Sequence, residues 1–273
     1  MTKRSIRLIL IIFSAFSVIA NSFGQRGQEV GGYIGAAFYY GDLNTSLKIQ
    51  KPGPAAGIFV KRNFNNRLSL RGGLNYARVA ASDANSGNNF EKNRNLSFRS
   101  SILDFTGGIE FNFLPHDHGS SDTWYTPYLF AGLSVFYYNP TASLDGERYA
   151  LRKLGTEGQE LSQEYSVISG AFALGAGFKW DISHDVSVQT ELTFRTLFTD
   201  YLDDVSTIYP DFGALADRHG QIAVDLSDRS LVDGIGIEGR QRGNSANNDN
   251  YVVISVGLTK YFGYIECPKI SEW

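Results

Sequence analysis

Two histidines separated by one residue are the first group in this sequence that could do chemistry. His116 and His118 flank Asp117, and imidazole and carboxylate groups are both ligands for zinc. The three residues lie in a turn between two alternating stretches, and no other ligand cluster lies beside them in the sequence. We therefore interpret them as a solvated turn and predict neither a metal nor a cofactor there.

A second candidate combines three aspartates with a histidine in a long polar segment. Asp200, Asp203 and Asp204 precede His219, and a carboxylate that orients an imidazole can help it activate water. General-base catalysis needs hydrogen-bond reach, which a sequence does not give, and no nucleophile motif accompanies these residues. We expect a protein that is not an enzyme, with hydrolysis as an open alternative.

Three glycines match the letters of a dinucleotide-binding fingerprint. Gly234, Gly236 and Gly239 lie in the same polar segment, with no apolar helix after them. The fingerprint needs a strand before it and a helix after it, so no cofactor site is predicted. The formal net charge of -3 gives no basic footprint for nucleic acid.

A further set of charged residues lies on the polar side of stretches in which every second residue is apolar. This set comprises Arg71, Asp104, Glu110, Glu191 and Arg195. A period of two indicates a β-strand with one apolar and one polar face. The elements that position these charges are therefore predicted to be strands.

Eight stretches carry this alternation and predict eight strands. They cover approximately residues 30–40, 55–64, 68–79, 103–113, 127–138, 165–180, 186–198 and 251–262. The connections after the odd-numbered strands are long and those after the even-numbered strands are shorter, which is typical of short periplasmic turns and long extracellular loops. The sequence predicts an all-β, eight-stranded antiparallel up-and-down transmembrane β-barrel in the outer membrane; a secreted soluble β protein is the alternative.

The chain divides into three predicted parts. Basic residues precede a short apolar run at residues 8–20, which predicts a secretory signal peptide over residues 1–24. The barrel covers residues 25–265, and a periplasmic tail covers residues 266–273. Cys267 is the single cysteine, so no disulfide framework is expected.

The charged set predicts a filled barrel. A charge on the lipid face near the middle of a membrane costs about 2–4 kcal/mol, so these side chains should point inward. Opposite charges in a narrow lumen should pair, because unpaired buried charge is strongly disfavoured. An eight-stranded barrel is just wide enough for its own side chains to fill, and we predict a plugged barrel, not a pore.

Several segments resemble one known family. They are YYGDLN at 39–44, RNLSFRSSILDFTGGIEFNFLP at 94–115, TPYLFAGLSVFYYNP at 126–140, LGTEGQ at 154–159, FTDYLDDVS at 198–206 and YFGYIECPK at 261–269. Together they resemble the PorG-type outer-membrane β-barrel family of the type IX secretion system. The resemblance implies a non-enzymatic outer-membrane component that associates with a periplasmic ring of PorK-type and PorN-type proteins.

The resemblance also implies a partner contact on the periplasmic side of the barrel. In an even-stranded barrel both chain ends and the short turns lie on one side, and tryptophan is a frequent interface anchor. The predicted partner contact comprises His116, Asp117, His118, Cys267, Pro268, Ile270 and Trp273. A tail folded back under the barrel is one alternative, and a stand-alone barrel that binds a ligand or surface through its external loops is another.

Overall fold

The structure, a computed structural model, describes residues 27–45, 51–120 and 122–263. The predicted signal peptide lies outside these ranges. The predicted tail lies outside them as well, with Cys267, Pro268, Ile270 and Trp273. No helix in the described part of the chain is long and apolar enough to cross a membrane.

The described residues form nine strands, of which eight close into a barrel. The strands are β1 (Gln28–Tyr40), β2 (Gly53–Asn63), β3 (Leu68–Ser82), β4 (Ser97–Asn112), β5 (Tyr125–Leu144), β6 (Glu147–Ala150), β7 (Ile168–Asp181), β8 (Val186–Leu197) and β9 (Asn250–Phe262). Every pair of neighbours is antiparallel, and β1 pairs with both β2 and β9. The β4–β5 pairing completes the ring. The predicted eight-stranded up-and-down barrel is confirmed.

The alternation of apolar and polar residues in the sequence corresponds to the outer surface and the lumen of the barrel. On β4, Ile109 is 51% exposed on the outer surface, whereas the next residue, Glu110, is 0% exposed in the lumen. Successive side chains of a strand point to opposite faces, and the same alternation of exposed and buried residues runs along β5 and β9. The apolar set therefore faces outward and the polar set faces inward.

The fifth strand continues beyond its predicted end. The predicted strands end at residue 138 and begin again at residue 165, which leaves residues 139–164 as a connection, but β5 reaches Leu144 and turns back as β6. The turn consists of Asp145 and Gly146, whose φ angles are 50° and 86°. Asp-Gly with two positive φ angles is a favoured two-residue hairpin turn. This local signal overrides the general polarity of the segment.

The two ends of the barrel differ in size. The "turn end" carries the short connections 64–67, 113–124 and 182–185. The "loop end" carries residues 41–45 and 51–52 and the connections 83–96, 145–167 and 198–249. The loop end includes the helices α1 (Asn89–Arg94), α2 (Phe212–His219) and α3 (Gln221–Ser227) and the 3₁₀ turns Asp83–Asn85 and Leu151–Leu154.

The loop-end segments fold into a cap with its own buried interior. Leu43, Leu202 and Leu226 are each 2% exposed or less and belong to the same apolar cluster as side chains in the upper barrel. The described parts of the long polar connections are therefore folded against the barrel. Burial of apolar residues contributed by several connections gives the cap its stability.

Two buried arginines fasten the segments of the cap to one another. Arg94 donates two hydrogen bonds to the Asp83 carboxylate, at 2.8 and 2.9 Å, and a third to the Asp42 carbonyl oxygen at 2.8 Å. Arg242 donates to the Asp204 carbonyl oxygen at 2.6 Å and to Glu157 Oε1 at 3.1 Å. Arg94 also donates to the Arg242 carbonyl oxygen at 2.5 Å. A planar guanidinium suits such multiple contacts, and together these bonds join all four loop-end segments.

Candidate functional site

The structure places all five of the predicted lumen residues inside the barrel. Their exposed fractions are 7% for Arg71, 2% for Asp104, 0% for Glu110, 7% for Glu191 and 5% for Arg195. They come from the inward positions of β3, β4 and β8. Three strands thus supply a buried group of charges to one narrow space.

These charges pair across the lumen. Arg195 Nη1 lies 2.6 Å from Asp104 Oδ2, while Arg71 hydrogen-bonds Glu191 and lies 3.6 Å from Glu110 Oε2. Because a buried ion is costly unless an opposite charge and hydrogen bonds accompany it, these pairs make the polar lumen compatible with a folded barrel.

Three further charged residues belong to the same network and were not predicted. Lys61 Nζ lies 2.9 Å from Glu110 Oε2, and Lys179 Nζ lies 2.5 Å from Glu110 Oε1. Glu29 Oε2 lies 3.7 Å from Lys61 Nζ. All three occupy inward positions near the turn end, so the strand period could have found them. The barrel strands therefore bury four basic and four acidic side chains that are each at most 7% exposed.

Little empty space remains among these side chains. A cavity of about 20 Å³ lies in the lumen beside Arg71, Glu191 and Arg195. A space of that size holds about one water molecule. Ion pairs and aromatic rings fill the lumen, as in the plugged barrel that we predicted.

The turn end carries a second polar cluster. His116 Nε2 and His118 Nδ1 each lie 3.2 Å from Asp181 Oδ1, and His118 Nε2 lies 3.2 Å from Glu29 Oε1. The histidines are only 6% and 9% exposed, so their interpretation as a solvated turn is wrong. Pairing of β5 with β7 brings the end of β7 beside the turn before β5, and this adds Asp181 to the histidines.

The two imidazoles respond differently to this environment. Burial lowers the pKa of His116, and the nearby Asp181 carboxylate only partly opposes it. Burial also acts to lower the pKa of His118, but the carboxylates of Asp181 and Glu29 outweigh it and raise that pKa to about 9. Asp117 is exposed and hydrogen-bonds Asn66. The partner contact at this turn stays a prediction.

The loop-end aspartates do not form the pair with a histidine that hydrolysis would need. His219 Nε2 lies 3.1 Å from the Gln159 carbonyl oxygen, and Asp204 accepts hydrogen bonds from Thr156 and Tyr165. Asp203 and Asp249 share the Tyr39 hydroxyl, at 2.6 Å each. The contacts tie the aspartates into the cap.

Burial in the cap raises the pKa of these carboxyls. It brings the pKa of Asp200 to about 8, with help from the neighbouring charge of Asp249, and that of Asp249 to about 7. The pKa of Asp204 rises less, to about 6, because Arg242 partly offsets the burial. The cap therefore holds carboxyls that gain or lose protons near neutral pH.

The glycine motif lies in a different structural context from a dinucleotide site. Residues 234–239 form turns and bends after helix α3, with no strand directly before them and no helix directly after them. The dinucleotide fingerprint requires both elements.

A cleft of about 550 Å³ lies on the outer surface near the loop end, beside strands β3, β4 and β5. Its charged lining residues are Lys51, Arg78, Arg99 and Arg148, with no acidic side chain among the lining residues. Tyr76 and Leu103 lie on the same outward faces, nearer the middle of the barrel. A positive cleft therefore borders the apolar exterior.

The fold and the site define a closed eight-stranded β-barrel with a filled, charge-paired lumen and a folded cap at one end. The chain belongs to the family described as Domain of unknown function (DUF6089), whose model matches residues 3–235. No curated protein matches the chain.

Several solved structures are similar to this chain. Neisserial surface protein A is 12% identical, with a TM-score of 0.46, and the match covers 88% of this chain and 100% of that one. Ail of Yersinia pestis, in complex with the heparin analogue sucrose octasulfate, is 10% identical, with a TM-score of 0.42 and coverage of 87% and 99%. OprG of Pseudomonas aeruginosa is 11% identical, with a TM-score of 0.40 and coverage of 88% and 98%.

Proposed function

We propose that this protein is a non-enzymatic outer-membrane anchor of the type IX secretion machinery, exported by the signal peptide at residues 1–24. An apolar exterior supports the membrane location. Each barrel strand carries a large, exposed apolar side chain, for example Ile34, Ile58, Leu74, Phe105, Leu133, Leu174, Leu192 and Val256. Monomeric soluble proteins rarely expose a continuous apolar surface of this kind, whereas a bilayer covers it.

The filled lumen is the observation that carries the anchor role. Glu110, Lys61, Lys179 and Arg71 lie within ion-pair distance across the interior, and solute passage would require these pairs to separate. A barrel of this size packed with its own side chains has no diffusion path. The proposed role therefore uses the surfaces at its two ends and not the interior.

The secretion role rests on the segments that resemble the PorG-type family. Four of them meet in the cap: Tyr39 contacts Asp203, Arg94 contacts the Asp42 carbonyl oxygen, and Thr156 contacts Asp204. The turn end carries the start of β1, the end of β9 and the short connections, and in this proposal it faces the periplasm. We propose that this end contacts a ring of PorK-type and PorN-type proteins.

Co-purification tests this proposal. The chain is extracted from its own cells in mild detergent, and the proteins retained with it are identified. The anchor role predicts retention of periplasmic ring proteins, and removal of residues 269–273 should reduce both their retention and cargo secretion. Two results together would contradict the secretion role: a folded, correctly located barrel that retains no ring protein, and normal cargo secretion by cells that lack the barrel.

The positive cleft favours a second candidate, an outer-membrane barrel whose loop end binds anionic lipid headgroups. Arg78 Nε is buried without a hydrogen-bond partner, and Arg99 lies on the adjacent strand, two residues from Ser101, which is the register partner of Arg78. Phosphate groups suit arginine because its planar fork donates paired hydrogen bonds.

Retention of lipopolysaccharide tests this candidate. Arg78→Gln with Arg99→Gln should lower the lipopolysaccharide retained by the purified barrel, whereas Lys153→Gln, an exposed cap residue outside the cleft, should not. Equal retention by the folded variants would exclude the cleft as the binding site.

A further inference from the structure

The polar cluster at the turn end has the composition of a metal site. His116, His118 and Asp181 each direct one ligand atom to a common region, and these atoms all lie within 4.8 Å of one another. Two imidazoles and a carboxylate are a usual ligand set for zinc. We propose that these residues bind one zinc-like divalent cation at the turn-end mouth of the barrel.

Two of the three distances between ligand atoms are close to those around a tetrahedral ion. Ligands at about 2.0–2.2 Å from zinc stand about 3.3–3.6 Å apart in a tetrahedron. The two edges that run from Asp181 Oδ1 to His116 Nε2 and to His118 Nδ1 are both 3.2 Å. Because all three ligand atoms lie within 4.8 Å of one another, a closer approach of the two imidazoles would place the three atoms around one ion.

Two ligand atoms of the cluster are buried without a hydrogen bond. His116 Nε2 and Asp181 Oδ2 have no hydrogen-bond partner, and the Asp181 side chain is 6% exposed. Buried polar atoms are normally satisfied, so each such atom needs an explanation. A cation would satisfy His116 Nε2 directly, and it would satisfy Asp181 Oδ2 when the carboxylate binds through both of its oxygens.

The surrounding residues orient the ligands. Glu29 Oε1 lies 3.2 Å from His118 Nε2, so this carboxylate can hold the Nε2 proton while a bound ion displaces the proton from Nδ1. Ser187 Oγ donates to Asp181 Oδ1 at 2.6 Å and orients that carboxylate. Carboxylate–histidine–metal arrangements of this kind orient the ring and make the imidazole a stronger ligand.

Such an ion would join separate parts of the turn end. His116 and His118 lie in the connection before β5, Asp181 ends β7, and Glu29 belongs to β1. Three protein ligands leave a fourth position for water or for a group of a partner. The site would thus stabilise the same end of the barrel that the proposed function assigns to the periplasm, although the inference does not depend on that function.

Zinc titration of the mature chain, folded in detergent without a histidine tag, tests the proposal. Cys267→Ser is the background, because a thiol is a competing ligand. After chelator treatment, calorimetry should give one zinc per chain, and cobalt should give the strong visible absorption of a four-coordinate site. His116→Ala and Asp181→Asn should each weaken binding by more than about 100-fold, since loss of an outer partner alone costs 10- to 100-fold.

His184→Ala is the matched control, because that imidazole is exposed in the neighbouring turn. It should bind zinc as the background does. A heat-dependent gel shift confirms that each variant is folded, and Asp181→Asn preserves shape if His116→Ala does not fold. Absence of saturable zinc binding would overturn the proposal and leave an ion-paired His118. Equal affinity in the folded Asp181→Asn variant would also overturn it.

Discussion

Removal of the Glu110 carboxylate is expected to be among the most damaging single changes in this protein. Glu110 is 0% exposed and lies 2.9 Å from Lys61 Nζ, 2.5 Å from Lys179 Nζ and 3.6 Å from Arg71 Nη1. Loss of one partner from a buried ion pair costs about 3–5 kcal/mol. Since Glu110→Ala leaves two lysines without their nearest carboxylate, we expect a loss of about 5 kcal/mol in the free energy of unfolding.

Urea unfolding in detergent or lipid, followed by the gel shift between folded and unfolded barrel, measures this loss. Glu160→Ala is the control, because that side chain is exposed in the cap and surface changes usually stay within about 0.5 kcal/mol. Adding Lys61→Met to Glu110→Ala should recover part of the loss, because it removes an uncompensated charge. A loss below about 1 kcal/mol for Glu110→Ala would refute the argument from buried charge.

Four other outcomes follow from the structure. Pure protein in planar bilayers should show no stable open channel, and reproducible large conductance steps would contradict the filled lumen. In the cap, carboxyls with pKa raised to about 6–8 stabilise the folded state below about pH 4 and lose that effect as pH rises through 6–8. Hydrogen exchange in the cap, corrected for the intrinsic rate, should therefore be faster at pH 9 than at pH 5. Asp200→Asn should reduce that difference. Arg242→Ala should make the cap more sensitive to protease while the barrel stays folded. An unchanged cleavage rate would contradict the claim that Arg242 stabilises the cap. In a Cys267→Ser background, an impermeant maleimide on intact cells should label Ser245→Cys and not Ser183→Cys; the reverse result would invert the orientation.

The barrel itself was predictable because its determinants are local. The period of two, the short connections and the charges at inward positions all appear in the order of the residues. The predicted lumen set did not include Lys61 and Lys179, although each lies an even number of residues from other inward positions on its strand. They lie near strand ends, where a charged residue is easily assigned to the adjacent turn.

The cap and the turn-end cluster depend on contacts that a sequence does not contain. Arg94 and Arg242 lie far apart in the chain and meet only because the barrel brings their connections to one end. Likewise, Asp181 joins His118 only after β5 and β7 pair. The histidines were therefore predicted to be solvated, because their partners are distant from them in the sequence.

Site-specific photocrosslinking in whole cells is the most direct test of the anchor role. A crosslinker at Asp117, exposed at the turn end, should capture a lipoprotein or another periplasmic ring protein of the secretion machinery. The same group at Ser245, exposed in the cap, should not capture it. Capture of ring proteins only from Ser245, or no capture from Asp117 in actively secreting cells, would contradict docking at the turn end.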